Sequence, residues 1–151
     1  MIEDNKVLIV ESARQDVLGN PKGNTTLVKF FDYNCQFCKR AHADMKRLLE
    51  TDKQLRIVLK EFPVLGEGSV AAAQVAVVVN MIAPDRYAAF HDKLISNQGK
   101  VDGPRALAVA EEIGLDKANS LTQLNSNEVK AKRAEVEDLA ARLQLTGKTG
   151  R

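Results

Sequence analysis

Phe30-Phe31-Asp32-Tyr33-Asn34-Cys35-Gln36-Phe37-Cys38-Lys39-Arg40 holds both cysteines of the chain, after an apolar run and before a helical pattern. A strand that runs into a helix through Cys-x-x-Cys is a thiol–disulfide redox signature. If Cys35 opens the helix, its sulfur faces backbone N–H groups that lack intrahelical acceptors and the positive end of the helix dipole. Surroundings of that kind lower a thiol pKa from about 8.5 to roughly 3.5–7.5. Cys38 lies one turn further on, where a disulfide between adjacent turns can close. Cys35 is therefore assigned as the nucleophile, and Cys38 as the more sheltered, resolving cysteine.

Cys-x-x-Cys is also half of a zinc site, and His42 falls on the same helical face as Cys38. A closed zinc site takes four ligands. Only His91 remains among the softer donors, and there is no second cysteine pair, so no metal and no cofactor is expected. A hydrolytic Cys–His dyad would need an oxyanion hole and an orienting partner, and neither is marked. His42 reads as a surface or half-buried helix residue.

The 151 residues fit one domain with a sizeable core. An apolar fraction of 44% and a charged fraction of 28% describe an ordinary globular chain. With 22 basic and 20 acidic residues the net charge is +2, and no basic stripe with interleaved aromatics appears. Nucleic acid is therefore not an expected partner. Two cysteines confined to one motif argue against a disulfide-stapled scaffold and suit an exchange catalyst. Val7-Leu8-Ile9-Val10, flanked by Glu3, Asp4 and Glu11, is too short and too acidic in its surroundings for a secretory signal. Either the chain is cytosolic or a signal has been removed. No segment approaches transmembrane length.

Working outward, residues 2–11 read as a short helix or a strand, with the helix favoured. Residues 16–24 carry two glycines, two asparagines and a proline, and read as a turn-rich loop. Residues 25–31 read as a strand, with Lys29 its one charge, on the face of Leu27 and Phe31. A lysine there either packs its stem and sends its head to water, or sits near the thiols and tunes them. Residues 36–50 are helical, with Phe37, Ala41, Met45, Leu48 and Leu49 near 3.6 spacing. Residues 55–60 make a second strand, giving a right-handed βαβ unit with parallel strands. Residues 69–81 form a buried helix of small apolar residues, and 84–95 another, with Pro84 in its first turn. Gly103-Pro104 opens a helix over 105–113 that Gly114 terminates, and Asp116 caps a short one through Leu124. Ser126 starts a last helix to Leu145, with Gly147 and Gly150 in a flexible tail.

The cysteine stretch, with Lys60-Glu61-Phe62-Pro63-Val64-Leu65-Gly66, Tyr87-Ala88-Ala89-Phe90-His91 and Ile113-Gly114-Leu115-Asp116, resembles the bacterial DsbA-like thiol–disulfide oxidoreductases. The likeness runs from about Val17 to Gly147. It implies an α/β, thioredoxin-like fold with an inserted helical domain. The parts would be 1–62, carrying the βαβ unit and the motif, 63–125, the helical insertion, and 126–151, a helix returning to the first part. It further implies a periplasmic or otherwise extracytoplasmic enzyme that forms, isomerises or reduces disulfides. Its partners would be thiol- or disulfide-containing protein substrates and a redox partner protein.

The chain departs from that pattern in three places. Gln36 and Phe37 stand where relatives often have Pro or Gly followed by His or Tyr, a dipeptide that tunes thiolate stability. Lys29 stands where a glutamate is common. The family continues, after a helix ending like Leu143-Gln144-Leu145-Thr146-Gly147, into a cis-proline loop, a β-hairpin and a last helix. This sequence reads Lys148-Thr149-Gly150-Arg151 there. The expectation is a C-terminally incomplete fold that can self-associate. Its alternative function is that of a catalytically impaired binding or assembly fragment.

Overall fold

The computed structural model describes residues 2–145. Strand β1 (Asp16–Gly19), β2 (Thr25–Phe31) and, after helix α1 (Gln36–Thr51), β3 (Leu55–Glu61) form one sheet in the order β1-β3-β2. β3 runs parallel to β2, Thr25 facing Leu55 and Phe31 facing Glu61, so the βαβ unit takes the expected form. Central position explains the near-continuous apolar run of β3, whose Leu55, Ile57, Val58 and Leu59 are all buried.

β1 corrects the sequence reading, which placed Asp16 to Gly19 in a loop. These residues pair antiparallel with β3, Asp16 opposite Leu59 and Gly19 opposite Arg56, and thereby bury Leu18. The turn chemistry begins only at Gly19, with φ of 81° and no room for a Cβ, which would meet the Leu55 carbonyl oxygen at 2.5 Å. Among the described residues the sheet therefore has three strands rather than two. Residues Glu3–Asn5 and Val7–Glu11 are helical as expected, but as a 3-10 turn and a π-helical segment.

Helix α2 (Glu67–Ile82) is apolar on every side, and Ala72, Ala73 and Val75 through Val79 are each 2% exposed or less. It forms the axis against which α3 (Tyr87–Ile95), α4 (Gly103–Glu112), α5 (Lys117–Gln123) and α6 (Asn127–Arg142) pack. A 3-10 turn at Pro84–Arg86 leads into α3, which makes that helix start later than the sequence suggested. The local signals hold elsewhere. Asp102, Asp116 and Ser126 cap α4, α5 and α6 by accepting backbone N–H bonds, and Gly114 stops the chain after α4 with φ of 97°. α6 ends at Arg142 rather than Leu145, because Gln144 turns left-handed at φ of 59°. The expected tail with Gly147 and Gly150 lies outside the described residues. A single core joins Leu18, Phe31, Ile57 and Leu59 of the sheet to Val75, Val79, Phe90 and Leu94 of the helices. Each such side chain contributes about 1.5–3 kcal/mol by its burial. That continuity fixes the sheet, and with it the β2–α1 junction, against the helical layer.

Candidate active site

Asp32, Tyr33 and Asn34 carry the chain from β2 into α1, and their side chains fasten the junction at both sides. The Asp32 carboxylate accepts the Asn34 N–H (2.7 Å), the Ser69 hydroxyl (2.7 Å), and the Val64 and Leu65 N–H groups (2.8 and 3.0 Å). The Asn34 amide donates to the Val101 carbonyl and accepts the Val101 N–H, at 2.8 and 2.7 Å. The Cys35 N–H then bonds to the Asp32 carbonyl at 3.0 Å. Sequence reasoning named none of Asp32, Asn34 or Ser69 as site residues. An Asp-x-Asn pair just before a helix start was the available signal for a side-chain-held turn.

Held in this way, Cys35 is the N-cap of α1, and its Sγ accepts the Cys38 N–H at 3.3 Å. The two cysteines sit one turn apart, both as free thiols. Their expected order of shelter is reversed. Cys35 is 5% exposed, because the tethered turn folds it inward, while Cys38 is only half-buried beside a small cleft lined by Phe30, Phe31, Phe62 and Val64. Burial nonetheless pushes the Cys38 thiol up to about 11, with the Cys35 sulfur acting in the same sense and the Asp32 N–H and Lys29 against it. At neutral pH Cys38 therefore keeps its proton.

Gln36 and Phe37 are both exposed, Phe37 at 55%, and the Arg40 guanidinium lies 4.7 Å from the Phe37 ring centre. Phe37 and Leu48 therefore do not join the apolar face of α1, which is formed around Met45 and Leu49. Lys29 does not send its head to water. Its Nζ donates to the Cys38 carbonyl at 3.0 Å, and burial lowers its pKa while both cysteines pull it up.

His42 is buried, not half-exposed, and its Nε2 lies 2.8 Å from an Asp92 oxygen. The structure brings it to His91, ring centres 5.2 Å apart, rather than to the thiols. His91 Nδ1 lies 2.9 Å from the Tyr33 hydroxyl, which is also 3.3 Å from Glu61 Oε1. One hydroxyl proton serves one of these neighbours. Burial raises Glu61 well above the carboxylate range, and a protonated Glu61 can donate to Tyr33 while Tyr33 donates to neutral His91. Among the described residues, no group of three or more His, Cys, Asp or Glu side chains is placed to hold a metal ion.

The junction with its capping cysteine, the second cysteine one turn on and the parallel strand behind all lie within a stretch that matches one family. The DSBA-like thioredoxin domain matches residues 26–148. The chain belongs to that family, the DsbA-like thiol–disulfide oxidoreductases. A thioredoxin-like oxidoreductase from Silicibacter pomeroyi DSS-3 superposes with a TM-score of 0.88 at 38% identity, over 95% of this chain and 82% of that one. The thiol-disulfide exchange protein alpha-DsbA2 from Wolbachia pipientis shares the fold at 24% identity and a TM-score of 0.87, over 97% and 79% of the two chains. So does a periplasmic thioredoxin-like protein from Salmonella enterica serovar Typhimurium, at 21% and 0.80, over 95% and 79%. Among curated proteins the Na(+)/H(+) antiporter NhaA 1 of Salinispora arenicola (strain CNS-205) is 29% identical over 109 residues. That match spans 71% of this chain and 16% of the antiporter.

Proposed function

We propose that this chain exchanges disulfides with protein substrates through Cys35 and Cys38. The observation that carries this reading is the Cys35 sulfur at the N-cap of α1, accepting the Cys38 N–H at 3.3 Å. In the oxidising direction a substrate thiolate attacks Sγ of Cys35 in the Cys35–Cys38 disulfide. The S–S bond breaks, a mixed disulfide forms, and Cys38 leaves as a thiolate that takes up a proton from water. A second substrate thiolate then attacks the substrate sulfur of the mixed disulfide, releasing the Cys35 thiolate and the oxidised substrate. Reduction is the reverse, with Cys35 attacking first and Cys38 resolving. Gln36, Phe37 and Lys29 set the balance between the directions by their effect on the thiolate. An extracytoplasmic setting fits a family with a periplasmic relative of the same fold. No helix among the described residues is long and apolar enough to cross a membrane.

Two assays test the reading: insulin reduction by the reduced protein, and oxidation of a dithiol peptide by the disulfide form. Turnover in either, lost in Cys35→Ser, is the expected result. Absence of both with the wild-type chain returns the protein to the class of binding or assembly fragments. The reduction potential of the pair assigns the direction. A value near −270 mV, as in thioredoxin, marks a reductant, and one near −120 mV an oxidant, on the approximate scale of known couples.

A further inference from the structure

Beside the motif, on the side of α1 away from the Cys38 cleft, lies an open groove of about 280 Å³. Gln36, Lys39 and Arg40 of α1 form one wall, and Ile95, Ser96 and Asn97 the other. Gln36 is the residue next to Cys35, so the groove lies beside the residue that would carry the mixed disulfide. We propose that this groove takes an acidic segment of the polypeptide substrate, next to the cysteine bonded to Cys35. The inference rests on the exchange reaction proposed above and adds the charge of what is exchanged.

No carboxylate lines the groove. Its two cations are held in place without being neutralised. The Lys39 Nζ donates to the Asn97 carbonyl at 2.6 Å, and Arg40 lies over the Phe37 ring. Among the described residues neither forms an ion pair. Asp44, one turn along α1 from Arg40, pairs with Arg47, and acids of the neighbouring helices are occupied elsewhere. Asp92 is engaged by His42 and Lys46, Glu112 by Lys93 and Arg105, and Asp102 caps α4 through the Arg105 N–H. Asn97 is in turn fixed by Arg105, whose Nε donates to its side-chain oxygen at 3.0 Å, so the far wall is rigid. Burial lowers the Lys39 pKa, the mark of a cation short of solvent and of counter-charge. The N-terminal end of α1 adds its partial positive charge to the same mouth. A carboxylate lying in the groove meets two positioned cations and the Gln36 amide, and no carboxylate in the lining repels it. A basic segment meets the reverse.

The test uses three peptides of one length, acidic, neutral and basic beside a single position that is Cys in one set and Ser in the other. Fluorescence anisotropy with the Ser peptides reads binding without redox chemistry. The acidic peptide should bind about 3–10-fold more tightly than the basic one at low salt, the scale of one or two exposed ion pairs. The preference should shrink as salt rises. Arg40→Glu should remove or invert it, and Arg40→Lys should retain it. With the Cys peptides, the same order should appear in exchange rates, each divided by that variant's rate with a neutral small dithiol. Equal binding of acidic and basic peptides, or a preference unchanged in Arg40→Glu, overturns the proposal. If the wild type turns over no dithiol at all, the exchange reading fails, and the anisotropy series still decides the groove.

Discussion

With 1% of its surface exposed and its ring held between Phe31 and Tyr87, His91 has no solvent shell to receive a proton, and its pKa falls to about 3. The unfolded chain protonates this imidazole near its ordinary value of 6.5. Its contribution to stability is therefore complete above that value and is lost as pH falls toward 3. A shift of this size corresponds to something on the order of 5 kcal/mol. Glu61 acts in the opposite sense, since its raised pKa favours the fold below the ordinary carboxylate value and the benefit is lost as pH rises through the folded value. A difference measurement isolates the histidine. In urea unfolding, the lead of wild type over His91→Gln should shrink by more than about 1 kcal/mol between about pH 8 and about pH 5. A lead that stays constant would show that the buried ring takes up its proton without cost. Lys29 is the second residue whose effect has a sign. Its cation reaches both sulfurs through space and favours the thiolate, hence the reduced pair. Lys29→Glu should make the potential more negative by roughly 30 mV or more, read by equilibration with glutathione. An unchanged potential would leave Lys29 only its bond to the Cys38 carbonyl. The cysteines themselves separate by trapping. Cys38→Ser should accumulate mixed disulfides through Cys35, seen by intact mass, whereas Cys35→Ser should accumulate few.

The turn between β2 and α1 is held by distant elements, and that decides which parts of the site could be read in advance. Cys35 and Cys38 are visible in the sequence because their spacing is local, and so are the caps Asp116 and Ser126, whose N–H donors lie within the next turn. Apart from the Asn34 N–H, the partners of Asp32 are instead Val64, Leu65 and Ser69, and those of Asn34's side chain are Ser69 and Val101, residues brought in by the packing of α2 and the approach to α4. No periodicity marks such contacts. β1 failed to show for the same reason. Asp-Val-Leu-Gly ahead of Asn-Pro has the composition of a turn, and only pairing with β3 makes it a strand. The exposure of Phe37 and Leu48 follows likewise, since periodicity gives a helix a face but not the width of what covers it. Asp32→Asn tests the tether at this scale. The replacement keeps the shape but turns an amide donor toward N–H groups that need an acceptor. A loss of about 2–3 kcal/mol is expected, as for a buried donor left unsatisfied. Exchange activity should fall with it, because the same turn places the Cys35 sulfur over the end of α1. Full stability in Asp32→Asn would show that the backbone holds the turn alone.

At the scale of the whole molecule, both edge strands pair with β3 alone, but Asp16 and Leu18 of β1 are buried while the start of β2 is exposed. β3 is covered on both sides by partners, and the helical layer closes over one face through the core that joins Phe31 to Phe90 and Leu94. β2 pairs with β3 only, so among the described residues its outer edge is free. Thr25, Thr26 and Leu27 are exposed along it, Leu27 at 39%. Free edges are ordinarily guarded by charge, by proline or by a bulge. The one charge in β2 is Lys29, and its head is committed to the Cys38 carbonyl. The edge consequently offers a run of β-formers with unpaired backbone groups and no guard, a template for another strand. The 151-residue chain should therefore associate through this edge at micromolar concentration, measured by light scattering across a dilution series. Leu27→Lys, which places a charge on the exposed surface without touching the core, should shift the population toward monomer and leave the unfolding midpoint within about 0.5 kcal/mol of wild type. If wild type and Leu27→Lys are equally monodisperse monomers at every concentration, the edge is protected by something other than charge. If both associate equally, the contact lies on another surface, and the exposed Ile2 and Val7 near the N-terminus become the next residues to change.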